Sequence, residues 1–192
     1  MKQKSIKVNF IMNAILTMSA VIFPLITFPY VSRALQPAGI GKVNFAISVV
    51  SYFTMFAQLG IPTYGIRACA QVRDNKKELS KVVQELLWIS VFMCTLSYLV
   101  FFLSVFFIPK FRNDYLLFII TGSSVLLNTI GVEWLYKGLE QYSYITVRSL
   151  IFKIIGIVAM LAFVHKPSDY ILYGGITVIA SYASYVLNFM YL

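Results

Sequence analysis

Long uncharged stretches alternate with short charged ones along this chain, at the spacing of membrane-spanning helices. Residues 8–41 (interrupted by Arg33 alone), 43–66, 86–109, 115–132 and 170–192 each contain an uncharged run of at least 18 positions. At about 1.5 Å rise per helical residue, roughly 20 residues cross about 30 Å of hydrocarbon, so each run suffices for one span. A sixth apolar stretch, residues 146–164, is interrupted by Arg148 and Lys153, leaving eleven uncharged residues from Ile154 to Val164. A span there takes Lys153, and Arg148 beside it, into or next to the bilayer, where basic residues are costly and are functional candidates by default. The pattern predicts an all-α polytopic membrane protein with spans near 9–31, 43–65, 86–108, 115–135, 145–164 and 170–191, forming one bundle over residues 1–192. Residues 74–85 read as a surface helix, because Leu79, Val82, Val83 and Leu86 recur at helical spacing between charges. This helix is expected to lie along the interface and lead into the third span.

Polar residues inside the spans recur at intervals of three and four. Asn13, Thr17, Ala20, Pro24 and Thr27 share one face of the first span, and Asn44, Ser48, Ser51, Met55, Gln58 and Pro62 one face of the second. Ser90, Cys94, Ser97 and Ser104 do so in the third span, Thr121, Ser124, Asn128 and Gly131 in the fourth, and Gly174, Thr177, Ser181, Ser184 and Asn188 in the sixth. Small and hydroxyl residues serve helix packing in lipid; amides such as Asn13, Asn44, Gln58 and Asn128 also suit the wall of a water-filled cavity. Pro24 and Pro29 deprive the carbonyls of Ala20 and Leu25 of their helical donors, which predicts kinks in the first span.

Composition excludes a soluble domain: 12% of residues are charged, 59% are hydrophobic, and the mean hydropathy is +0.80. The opening run is too long for a signal peptide and lacks a small-residue cleavage site before a soluble domain, so it is expected to be a retained helix. Of the 16 basic residues, eleven fall at the N-terminus and on the even-numbered connections (Lys2, Lys4, Lys7, Arg67, Arg73, Lys76, Lys77, Lys81, Lys137, Arg148, Lys153). Five fall on the other side: Arg33, Lys42, Lys110, Arg112 and Lys166. Retention of cationic loops in the cytoplasm predicts both termini inside. The net charge of +9 is accounted for by orientation and lipid headgroups, not by nucleic acid. Cys69, in a charged loop, and Cys94, within a helix, are not placed for a disulfide. His165 reads as a solvated loop residue, and no metal site or cofactor is expected. Short connections and the absence of paired carboxylates, HExxH or GxSxG on the spans argue against an enzyme.

The stretch from Phe23 to Leu35 (FPLITFPYVSRAL), then Gly39-Ile40-Gly41 and residues 58–67 (QLGIPTYGIR), resembles the opening of the bacterial polysaccharide and O-antigen flippases of the multidrug/oligosaccharidyl-lipid/polysaccharide exporter superfamily. Residues 133–140 (EWLYKGLE), 144–150 (YITVRSL) and Lys153 are similar to the family's fourth-to-fifth helix connection. The order and spacing agree across essentially all of the chain. Gln36 departs from the pattern by standing where glycine commonly follows Arg-x-Leu, a minor change in an external turn. The family has about twelve or more helices in two similar bundles, so the resemblance covers the N-terminal bundle. A truncated reading frame, half of a split transporter and a fragment all fit that coverage.

The resemblance implies alternating access for a polyprenyl-pyrophosphate-linked oligosaccharide, in O-antigen, capsule or other surface polysaccharide assembly at the bacterial inner membrane. The expected site residues are Arg33, Arg67, Arg148 and Lys153 for the pyrophosphate, since guanidinium forks match phosphate oxygens, with Gln58 and Asn128 for the glycan. Glu133 would counter Lys153 or carry a coupling proton. Membrane lipids, a second transporter half, and the polysaccharide polymerase and chain-length machinery are the implied partners. Alternative readings are a multidrug or amphiphile exporter, whose site favours acidic and aromatic residues, an inactive half-transporter, and a membrane glycosyltransferase or polymerase, which needs a long external loop.

Overall fold

The computed structural model describes residues 5–190. Lys2 and Lys4 of the orientation argument, and the last residue of the sixth expected span, Tyr191, lie outside the described residues. All regular elements among those described are helices: α1 (Ile6–Gln58), α2 (Ile61–Val72), α3 (Lys76–Phe107), α4 (Pro109–Asn113), α5 (Tyr115–Ile130), α6 (Glu133–Gly138), α7 (Tyr142–Phe163), a 3-10 turn (Pro167–Asp169) and α8 (Tyr170–Met190). Five continuous helical stretches are long and apolar enough to cross a membrane, the first of them, Ile6–Val72, counted through α1 and α2.

That first stretch is two arms. Within α1 the dihedrals leave the helical region at Gln36 (φ 57°, ψ 170°), while Pro24 and Pro29 keep helical values. The break sits at Gln36, beyond the two prolines expected to kink the first arm. Pro37 follows directly, with no amide hydrogen to miss, as the first residue of the new arm. The second arm, 37–58, thus begins well before the expected boundary at 43. Lys42, read as the loop, lies on the helix with its ammonium directed outward to Asp114.

Long-range contacts fix the arm directions. The first arm, 6–35, runs parallel to α7, with Thr146 Oγ1 donating to Met12 O (3.0 Å), Lys153 Nζ to Ser19 Oγ (2.7 Å) and Tyr30 OH to Val164 O (2.9 Å), a constant register of 134 residues. The second arm runs parallel to α5 and α8: Lys42 pairs with Asp114, Gln58 bonds Asn128, and Asp114 accepts from Tyr170. α3 returns antiparallel to these, with Ser97 Oγ on Phe53 O (2.8 Å) and Tyr98 OH on Gly122 O (2.9 Å). Among the described residues the chain thus passes through the bundle six times.

Glycines set the closest approaches. A Cβ on Gly156 of α7 would lie 2.4 Å from Ala180 Cβ of α8, and one on Gly122 would lie 2.7 Å from the Phe101 ring. Small residues that let backbones approach are the usual adhesive of helices in lipid.

The expected surface helix is absent as a separate element. α3 is one helix of 32 residues, about 48 Å long. Its first turn is capped by Asn75 Oδ1, which accepts from the amides of Lys77 and Glu78. Leu79, Val82, Val83 and Leu86 pack with Ile61, Cys69, Trp134 and Tyr136, so their apolar periodicity is satisfied by α2 and α6 instead of by lipid. Trp88 is 76% exposed, as befits a residue at a membrane–water boundary. From Trp88 to the end of α3 at Phe107 the rise is about 28 Å, one hydrocarbon thickness. Residues 88–107 thus suffice for one crossing without the turns before Trp88. Cys69, assigned to a loop by its charged neighbours, is buried in α2 against this cluster.

Gln36 is not conformationally minor. Its φ,ψ pair falls in a region that is essentially glycine's own, at a cost of about 1–3 kcal/mol for other residues. The residue that the family pattern favours there is the one that removes this strain. Gln36→Gly is expected to stabilise the protein by about 1 kcal/mol, the relieved strain less about 0.4–1 kcal/mol of extra unfolded-state entropy. Thermal unfolding in detergent measures it, and an unchanged or lowered midpoint contradicts it.

Candidate functional site

Two helices break at the same depth, side by side. The second arm ends at Gln58, and Leu59 (φ 42°) and Gly60 (φ 74°) both take left-handed conformations before α2 begins. α5 ends at Ile130, and Val132 (φ 37°) turns the chain into α6. Left-handed backbone is strained for a β-branched residue, and Val132 is held in it while almost wholly buried. Beyond the breaks, α2 and α6 stay together through glycine contacts: Gly65 against the Trp134 ring and Gly138 against Cys69.

One carbonyl freed at the α5 break is satisfied by α8, and α6 bonds back to the α8 backbone. Asn188 Nδ2 donates to Gly131 O at 2.7 Å, and Tyr136 OH donates to Asn188 O at 2.8 Å. At the break, Gln58 Nε2 donates to Asn128 Oδ1 at 2.5 Å, joining the two helix ends directly. Glu133, the first residue of α6, accepts from Tyr185 OH at 2.8 Å and lies 3.5 Å from Lys137 Nζ. A cavity of about 220 Å³ opens among Gln58, Asn128, Glu133, Trp134, Lys137 and Tyr185. A second, of about 250 Å³, also touches Gln58 and continues between the second arm, α5 and α8 past Ser51, Thr54, Thr121, Thr177 and Ser181. Together they make a hydroxyl- and amide-lined seam through three parallel helices.

The far end of the same three helices is held by another polar cluster. Asp114 Oδ1 receives Lys42 Nζ and Tyr170 OH, both at 2.9 Å, and Lys42 also lies over the Tyr170 ring at 4.7 Å. Burial pushes the Asp114 carboxyl upward, but the hydrogen bonds from Lys42 and Tyr170 and the lysine charge outweigh it and hold it below the usual carboxylate range. A carboxyl lowered on folding contributes stability above its unfolded value of about 3.9, and this is lost as pH falls through the lowered folded value. The cluster therefore stays intact between pH 7 and 5. Asp114→Asn is expected to lower the unfolding midpoint at pH 7 and to converge with the parent as pH falls through the lowered folded value. A constant difference across that range would show that the charge is immaterial.

The expected site residues divide into three groups. Gln58, Asn128 and Glu133 meet at the inner cavity. Lys153 lies about midway along the first arm's length, donating to buried Ser19, and Glu133 takes its ion pair from Lys137 on its own helix instead of from Lys153. Arg148 stacks on Tyr144, 4.1 Å from the ring centroid, with Nη1 donating to the Tyr144 hydroxyl. Arg33 and Arg67 are exposed on the first arm and on α2, apart from both cavities.

The polar stripes also divide. Ser90, Cys94, Ser97, Thr121, Ser124, Gly174, Ser184 and Asn188 are buried and serve packing. Asn13, Thr17, Ala20 and Pro24 on the first arm, and Asn44, Ser48, Ser51 and Met55 on the second, are exposed. Sequence reasoning missed Tyr185, Lys137 and the Lys42–Asp114–Tyr170 cluster. Tyr182 and Tyr185, three apart beside the Ser181 and Ser184 stripe, are the signal that was available.

The family model described as polysaccharide biosynthesis protein matches residues 6–192. A protein of Escherichia coli (strain K12) named "Putative O-antigen transporter" is 22% identical over 165 residues, which is 86% of this chain and 40% of that protein. One of the same name from Shigella dysenteriae is 23% identical over 151 residues, 77% of this chain and 37% of its own length. The chain thus spans about two fifths of the length of the curated relatives it matches. No solved structure matches it. With the two motif groups, the helical membrane bundle and a family match over nearly every residue in agreement, the chain belongs to the polysaccharide biosynthesis protein family.

Proposed function

We propose that this bundle forms one wall of a passage that moves a polyprenyl-pyrophosphate-linked oligosaccharide across the cytoplasmic membrane for surface polysaccharide assembly. The observation that carries the reading is the exposed stripe Asn44, Ser48 and Ser51 along a membrane-spanning arm. Amide and hydroxyl groups gain little from lipid, so such a face belongs to water, sugar or another protein surface. A glycan supplies hydroxyls along its whole length, while its lipid stays in the bilayer. Coverage of about two fifths of the relatives' length fits one wall of two. Arg148 and Lys153 supply the cations that a diphosphate needs.

Photo-crosslinking tests this. A benzophenone side chain at Ser48 is expected to capture the lipid-linked oligosaccharide in cells that make it, and one at Val158, 61% exposed on an apolar face, is not. Equal capture at both positions, or at neither, contradicts the proposal.

A second reading, export of a cationic amphiphile, draws on Glu133, Trp134 and Tyr185 around the inner cavity. Lys137 beside Glu133 already compensates that carboxylate, which weighs against it. Ethidium accumulation unchanged by expression of the protein is the expected result; a marked decrease supports export.

We further propose six membrane crossings with both termini cytoplasmic. Both native cysteines are buried, so engineered ones report cleanly. Lys77→Cys is expected to react with an impermeant maleimide only after permeabilisation, and Asn113→Cys from outside; the reverse pattern overturns the orientation.

A further inference from the structure

The lipid-facing side of α3 carries a groove of about 790 Å³ between α3 and the start of α5, lined along its length by Tyr98, Leu99, Phe102, Leu103 and Phe106. We propose that it holds one acyl chain of an anionic bilayer phospholipid, with the lipid phosphate on Arg112.

The groove is one leaflet long. It runs from Thr95 to Phe106, a rise of about 16 Å, against about 15 Å for half of a 30 Å hydrocarbon core. It also lies in one leaflet: with Trp88 at one boundary and Phe107 at the other, the midplane falls near Ser97, and the groove fills the half on the Phe107 side. Its aromatic lining is held in place, since Tyr98 OH bonds Gly122 O of α5 at 2.9 Å and the Tyr98 ring stacks on Phe102 at 5.6 Å.

Its mouth is cationic. α3 stops at Ile108, whose extended backbone (φ −92°, ψ 112°) sends the short helix α4 across the end, and Phe111 packs against Phe45 and Phe118 to hold it there. This places Arg112 and Tyr115 at the groove. Asp114, the neighbouring acid, is committed to Lys42 and Tyr170, and among the described residues no ion pair engages Arg112. Lys110 adds a second charge at the same end, over the Phe45 ring at 4.2 Å. An unpaired guanidinium above an apolar slot of leaflet length matches a phosphate with a hydrocarbon chain beneath it, and a planar fork suits phosphate oxygens.

The test is lipid retention. The protein is exchanged into detergent containing equal amounts of phosphatidylglycerol and phosphatidylethanolamine, with undecaprenyl phosphate as a competitor, and bound lipid is counted by native mass spectrometry. The parent is expected to keep one phosphatidylglycerol in preference to the other two. Arg112→Gln reduces that preference about tenfold, the order expected for losing one charge-assisted bond. Leu99→Trp, and independently Leu103→Trp, fill the slot and abolish retention. Monodisperse elution of each variant guards against misfolding. Equal retention by Arg112→Gln and parent, retention surviving both tryptophan variants, or preferred retention of undecaprenyl phosphate would overturn the proposal.

Discussion

Gly156→Ala alone is expected to destabilise the protein, and Ala180→Gly in the same chain is expected to restore it. The added methyl would stand 2.4 Å from Ala180 Cβ, a separation that real Cβ atoms do not adopt, and 3.6 Å from Phe23 Cζ. α7 and α8 must then part at their crossing, and overpacking of this kind costs about 1–3 kcal/mol. With the methyl moved from one helix to the other, the nearest remaining neighbour is Ala180 Cα at 3.5 Å, an ordinary contact. The two substitutions should therefore be strongly non-additive, as neighbours in contact are. Abundance in the membrane and the unfolding midpoint in detergent read it out. Additive losses would place the helices further apart.

Lys153 has the largest expected effect on function. It lies about midway along a membrane-spanning pair, with its ammonium on Ser19 Oγ at 2.7 Å and no carboxylate within ion-pair distance among the described residues. A basic residue at a helix centre costs about 2.5–3.5 kcal/mol on insertion scales. A purely structural lysine would thus be replaced by leucine with no loss, or with a gain in abundance. If the proposed function holds and Lys153 binds the diphosphate, Lys153→Ala in the context of a complete transporter abolishes glycan display at unchanged abundance. Lys153→Arg retains part of it, because the charge persists in a different geometry. Wild-type display from Lys153→Leu removes the residue from the site. Ser19→Ala separates position from charge: it leaves the lysine without its acceptor and is expected to reduce display less than Lys153→Ala.

The helices were legible in the sequence because lipid leaves the backbone no other partner: an uncharged run of sufficient length must be helical. Their ends were less legible. Lys42 was read as loop and residues 74–85 as a surface helix leading into the third span, yet a long side chain can leave a helix and reach Asp114, and one helix can carry both a charged start and an apolar span, as α3 does. The Gln36 break escaped the local signals as well, because glutamine carries no preference for the positive-φ side of the φ,ψ map that it adopts there. In the site, Gln58, Asn128 and Glu133 were found individually, through their cost in a membrane. Their association was not, since it depends on the register between the second arm, α5 and α8, and no short-range pattern encodes that. The same applies to Glu133, expected to counter Lys153 or to carry a proton, whose close ion pair is with Lys137 one turn along.

The second arm, α5 and α8 point the same way, so their peptide dipoles add instead of cancelling. Their amino ends gather around Asp114, whose carboxylate faces three partial positive charges as well as Lys42 and Tyr170. At the opposite end, the carboxyl ends of the second arm and α5 turn partial negative charge toward the cavity that already holds Glu133. Lys137 and the amino end of α2 stand at the same cavity and offset part of that charge, so the broken helix ends can meet there beside a carboxylate.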